Sequence, residues 1–210
     1  MTGVGLFPTT CGLLPSSVVV GIAISKYGRF RWAIWSGWVI TILATGLLIL
    51  WGTDTSTAAW AMILLILGLG HGLLLNALNV SVQAIASTED VAYATAMYTF
   101  LRSFGMCLGV AIGGVVFQNV LSRSLVDRGL SSDITQNATR YLAVLKAMPE
   151  SKNKHDILEA YAEAFRGLFT VLTGISGVGL LAALLIGRHT MDKELASEHV
   201  LRREKVGSPV

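Results

Sequence analysis

The sequence predicts an all-α integral membrane protein of about five transmembrane helices. Three observations carry this. Hydrophobic residues fill 53% of the 210 positions and charged residues only 14%, against about 25% charge in a soluble domain. The mean hydropathy is +0.63. The apolar residues form long continuous runs, which excludes the alternating strands of about ten residues that build a membrane barrel.

A helix rises 1.5 Å per residue, so about 20 apolar residues cross the hydrocarbon core. Five stretches reach that length: residues 4–25, 32–52, 58–86, 94–121 and 167–187. The first holds Pro8 and Pro15, seven apart and so roughly on one face. A kinked helix is expected there, with neighbours satisfying the freed carbonyls. Trp32 and Trp35 open the second span, Trp51 closes it, and Trp60 opens the third. Indoles at those ends fit the headgroup level, although packing within the bilayer explains them too. Ser87, Thr88, Glu89 and Asp90 precede the fourth span and can cap its start.

The connections are unequal. The first two spans are joined by SKYGRFRW, with Lys26, Arg29 and Arg31. No charge occurs in residues 1–25 or 32–53. Residues 122–166 form a long polar connection. Within it, Ile157, Tyr161 and Phe165 recur every four residues, predicting an amphipathic helix on the membrane surface. Residues 188–210 read as a charged cytosolic tail. The bundle is therefore assigned to residues 1–187, with 122–166 as its external loop.

Orientation rests on cation placement. With the first turn inside, that turn and the tail hold eight Lys/Arg and the long connection holds seven. The concentration of the first cluster favours the cytosol for it. Asn137, in the sequon Asn137-Ala138-Thr139, is a glycosylation candidate and favours the lumen for the long loop. Five spans then place the two termini on opposite sides.

Composition excludes several functions. The net charge of +3 comes from scattered cations, so no nucleic-acid partner is expected. Cys11 and Cys107 lie in apolar runs and read as small buried hydrophobes. No phosphate-binding loop, catalytic triad or metal-ligand spacing occurs, and no Asp or Glu falls inside a span. Neither a metal nor a cofactor is expected, and the chain does not read as an enzyme.

Polar residues inside the spans carry the functional signal. Gly72, Asn76, Asn79 and Gln83 fall within about 60° of one another at 100° per residue. A desolvated amide needs a partner, so this stripe faces other helices or water. It reads either as the wall of a substrate pathway or as hydrogen bonding that holds the bundle together. Arg102 is the one strong cation within a span. Its helical neighbours are small and partly polar, so its face is expected inside the protein, in a pathway or gate or in a structural contact. Gly105, Gly109 and Gly113 recur every four residues and suit close helix packing. His71 lies off the amide stripe and reads as a structural histidine.

Two stretches resemble a known family. GIAISKYGRFRW resembles the inter-helix signature of major facilitator transporters, Gly-x-x-x-Asp-Arg-x-Gly-Arg-Lys. Gly21, Lys26, Gly28 and Arg29 match. Ser25 stands where the family has an acid, and Phe30 where it has a second cation, as in the degenerate copy of the second half. AYATAMYTFLRSFGMCLGVAIGGVVFQNVL is similar to a late segment of the fourteen-span drug–proton antiporter branch, through Ala92, Ala94, Arg102, Gly105 and Gly109. The order of spans is similar to the final five of fungal toxin and drug efflux pumps.

The resemblance implies the second, incomplete half of a major-facilitator bundle, with Gly21, Lys26, Gly28 and Arg29 as its gating turn. It implies proton-driven export of small organic compounds or toxins by alternating access. It also implies a missing N-terminal half that carries most proton-coupling acids. The expected address is the lipid bilayer of the plasma membrane or the vacuole. The alternative is a truncated, non-transporting membrane protein with a structural or interaction role.

Overall fold

The computed structural model describes residues 2–50, 52, 56–131, 133–136, 138, 141, 145 and 151–186. All regular structure among them is helical: α1 (Thr2–Tyr27), α2 (Arg31–Ile49), α3 (Thr57–Ile85), α4 (Val91–Asp127), α5 (Asp133–Gln136) and α6 (Lys152–Leu184). Five of these are long and apolar enough to cross a membrane; each overlaps one of the five expected stretches, with α4 and α6 running beyond theirs.

Local chemistry sets the ends. Ser56 caps α3 by accepting from the Ala59 amide at 3.3 Å, and Ser151 caps α6 by accepting from Lys154 at 3.4 Å. Gly28 ends α1 in the left-handed region, φ +63°, with its amide bonded to the Ile24 carbonyl at 2.9 Å. A side chain there would be strained, so the tight reversal requires glycine. The expected cap on α4 is different in detail. Asp90 holds the N-cap position without a side-chain bond to the helix, and its carboxylate accepts from Ser87 Oγ at 2.6 Å instead.

α3 packs against both α1 and α2, α2 packs against α6, and α6 packs against α4. The α1–α3 contact is backbone on backbone. A Cβ at Gly12 would stand 2.5 Å from the Leu65 carbonyl, and Cβ atoms at Gly68 and Gly72 would run into Thr9 and Ser16 of α1. Small residues let the two helices approach this closely.

Two separate cores result. One joins α1, α2, α3 and α6 through Val20, Ile24, Phe30, Ala33, Ile34, Leu74, Ala77 and Ala183. Trp35 belongs to its edge: the indole N–H donates to the Ala183 carbonyl of α6 at 3.1 Å. Trp38 fills the space left open by Gly179. These two tryptophans join helices, whereas Trp32 is exposed at the end of α2.

The second core is a departure from expectation. The amphipathic stretch around Tyr161 does not form a separate surface helix. It is the first half of α6, continuous with the last span. Helices of 37 and 33 residues measure about 55 and 50 Å, well beyond a hydrocarbon core of about 30 Å. Their overhanging ends pack together, so Ile157, Ala160, Tyr161 and Ala164 meet Leu121 and Leu125 of α4, Ile134 and Leu145. The apolar face expected on lipid is buried on protein. Arg128, just past α4, clamps the overhang through Glu163 and Ser124. The tail at 188–210 and the sequon asparagine Asn137 lie outside the described residues.

Candidate functional site

The amide stripe of α3 divides into two parts. Asn76 donates from Nδ2 to the Ser17 carbonyl and to Ser17 Oγ, the latter at 3.0 Å. Its amide is thus tied to α1. Gly21, one turn on from Ser17, leaves room for this: a Cβ at Gly21 would stand 3.3 Å from Asn76 Nδ2. The first signature glycine and the first pathway candidate therefore meet. Further along the stripe, Gln83 donates to Asn79 Oδ1 at 2.9 Å, with Gln83 exposed and Asn79 half-buried. Gly72 continues the stripe in the other direction and seats Ser16 of α1. The Gly72–Asn76 part of the stripe faces α1, and Gln83 at its other end is exposed.

The signature turn follows directly. Lys26 and Arg29 are exposed, Gly28 makes the reversal, and Phe30 is fully buried in the first core. Phe30, where the resembled signature has a cation, is packed with Val20, Ile24, Ile34 and Ala77 of α1, α2 and α3. Arg31 stacks over the Trp35 ring at 4.6 Å. On the outer face of α1, Val18, Gly21, Ile22, Ser25 and Lys26 line an open groove of about 600 Å³.

Arg102 stands elsewhere. Residues 99–112 of α4 are exposed on every side, Arg102 among them. Its face is not interior within this chain, contrary to expectation. The physical reason is that the elements packing on α4 meet it mainly beyond this stretch, where Gly113 touches Leu168. A Cβ added at Gly105 or Gly109 would meet nothing within 4 Å, so of the three packing glycines only Gly113 is in use among the described residues. Cys11 and Cys107 are likewise exposed rather than buried. His71 is exposed and its Nδ1 lies 3.0 Å from the Leu67 carbonyl one turn back.

Sequence reasoning missed Ser17 and the structural weight of Trp35. The Ser16-Ser17 pair in an otherwise apolar run was the available signal, since two hydroxyls there need partners.

The chain is 43% identical over 202 residues to MFS transporter L2 of a Phoma species, covering 94% of the chain and 34% of that protein. The chain belongs to the major facilitator superfamily. Among other members, it is 30% identical to MFS-type transporter gkaD of Penicillium citrinum, over 97% of the chain and 36% of that protein. It is 29% identical to efflux pump FUS6 of Gibberella moniliformis, over 99% and 38%. The chain thus spans about a third of the length of the superfamily relatives it matches. No protein-family model matches it, and no solved structure does. The relatives are named as transporters and efflux pumps from fungi, not as enzymes. An integral membrane protein follows from the five spans and the superfamily together.

Proposed function

We propose that the chain is the C-terminal part of a proton-coupled efflux transporter that exports small organic compounds or toxins, at the plasma membrane or the vacuole. One observation carries this: nearly the whole chain aligns to about a third of proteins named as transporters and efflux pumps. The remaining two thirds would supply the facing helices and the proton-coupling acids. The bare stretch of α4 supports that reading. A guanidinium in a helix exposed to lipid costs a few kcal/mol, and Arg102 has no hydrogen bond or ion pair among the described residues. A partner from outside this chain would satisfy it.

In this reading Arg102 and the Asn79–Gln83 pair line the substrate pathway. Asn76 sets the distance between α1 and α3 behind them. Lys26, Gly28 and Arg29 make the gating turn at the cytosolic side. The test is export of a fluorescent substrate by a full-length relative carrying Asn79→Ala and Arg102→Ala at the matching positions. Loss of export with normal membrane levels supports the assignment, and unchanged export refutes it.

The Asn76 bonds to Ser17 favour a second reading for that one residue: its amide holds the bundle together and touches no substrate.

A further inference from the structure

We propose that the groove on the outer face of α1, with the turn at its end, binds an anionic glycerophospholipid. The headgroup phosphate meets Lys26 and Arg29, and one acyl chain lies along Val18 and Ile22. The proposal does not depend on transport, although it uses Lys26 and Arg29 of the turn that the transport reading makes a gate.

The groove is amphipathic along its length. Val18 and Ile22 are one turn apart, both more than 60% exposed, and line it with Gly21. Ser25 and Lys26 line its other end. A shallow, mostly apolar stripe along a spanning helix, ending in a cation, matches a phospholipid in both order and direction. Tyr27 is 68% exposed beside that end, where an amphipathic ring suits the interface.

The charge is also unspent. Among the described residues, Lys26, Arg29 and Arg31 form no ion pair with an acid. Arg31 is held against Trp35, and its buried Nε has no hydrogen-bond partner. The acids nearest in connectivity at this end of the bundle are Glu89 and Asp90, both exposed, with Asp90 bonded to Ser87. Three cations within one short turn attract an anionic headgroup by about 1 kcal/mol each near a membrane surface, or about fivefold per cation. Gly28 makes the reversal between Lys26 and Arg29, and both cations are exposed.

The test places the full chain in phosphatidylcholine bicelles and adds trace spin-labelled phosphatidylserine or phosphatidylcholine. The motionally restricted fraction is read by electron spin resonance. Phosphatidylserine is expected to be restricted preferentially. Lys26→Gln and Arg29→Gln should each lower that preference about fivefold, with helicity by circular dichroism unchanged. Ile22→Asn should reduce restriction while leaving the cations in place. Equal restriction of both lipids, or a preference that survives the double variant, overturns the proposal. Displacement of the lipid by inorganic phosphate at comparable concentration would make this a simple anion site and overturns it too. Loss of the preference in a full-length relative with the same cations would show that another helix covers the groove there, and would also overturn it.

Discussion

Arg128, one residue beyond α4, donates to Glu163 of α6 at 2.8 Å, while Ser124 and Glu159 close around the same guanidinium. The pair staples two helices where both have left the apolar part of their sequence. Hydrogen bonding from Arg128, then from Ser124, holds the Glu163 carboxyl below the usual carboxylate range. The same contact to Glu163 raises Arg128 further above its ordinary value.

This gives a pH prediction with a defined sign. A carboxyl whose folded pKa is depressed contributes stability above its unfolded value, about 4.3, and loses it as pH falls through the folded value. Glu163 is 45% exposed, so the contribution is discounted to the range of exposed pairs, about 0.2–1 kcal/mol. Glu163→Gln should therefore lower the melting temperature slightly at pH 7, and the gap to the native chain should close as pH drops below 4.3 or so. Thermal melts of the two proteins in detergent across that range check this. A gap that is constant with pH rules the staple out as its cause.

The α1–α3 contact makes a contrasting prediction. Gly68→Ala forces a methyl into the Thr9 backbone, which cannot move aside as a side chain would. Overpacking of this kind costs about 1–3 kcal/mol. Gly105→Ala meets open space and gains helix propensity of about 1 kcal/mol. Resistance of the 210-residue chain to unfolding by mixed detergent should thus fall for the first and hold or improve for the second. Equal losses would mean that α4 is packed in a way this structure does not contain.

How much of this was legible in the sequence divides along one physical line. The spans were, because hydrophobic length alone decides whether a segment crosses a bilayer. The turn at Gly28 was, because a cation cluster with glycine between two apolar runs leaves little alternative. The partner of each polar group was not. Asn76 found Ser17, 59 residues away, and a periodicity cannot name a partner on another helix. The stretch around Tyr161 had the moment of a surface helix, but that signal specifies only an apolar face. Whether lipid or protein covers it depends on how far α4 overhangs. Arg102 is the reverse case: its residue type promised an interior face, and the described residues leave it exposed.

Trp35 offers a third test. Its indole N–H bond to the Ala183 carbonyl links the start of α2 to the end of α6. Trp35→Phe keeps most of the apolar area and removes the bond, at a cost of about 0.5–1.5 kcal/mol. A smaller effect is expected from Trp32→Phe, because Trp32 is 42% exposed. Detergent unfolding of both variants ranks them. If Trp32→Phe is the more destabilising, the indoles act as interfacial anchors and not as helix ties.

Arg102 gives the last and most functional prediction. In the isolated chain it is exposed, so Arg102→Ala should leave folding of these 210 residues intact. In a complete transporter the same residue would sit in a dry bundle, bonded to a group on a helix from the other part. Removing a charge-assisted bond there costs about 1.5–3 kcal/mol, or about tenfold or more in export rate if the bond forms in the rate-limiting state. Lysine keeps the charge but not the planar fork, so Arg102→Lys should recover part of the rate where a point charge suffices and little where the partner is bidentate. Export by a full-length relative and unfolding of the short chain are measured side by side. A loss of export with unchanged stability of the short chain supports a pathway or gate. Destabilisation of the short chain by Arg102→Ala would instead assign the arginine to packing within the chain itself.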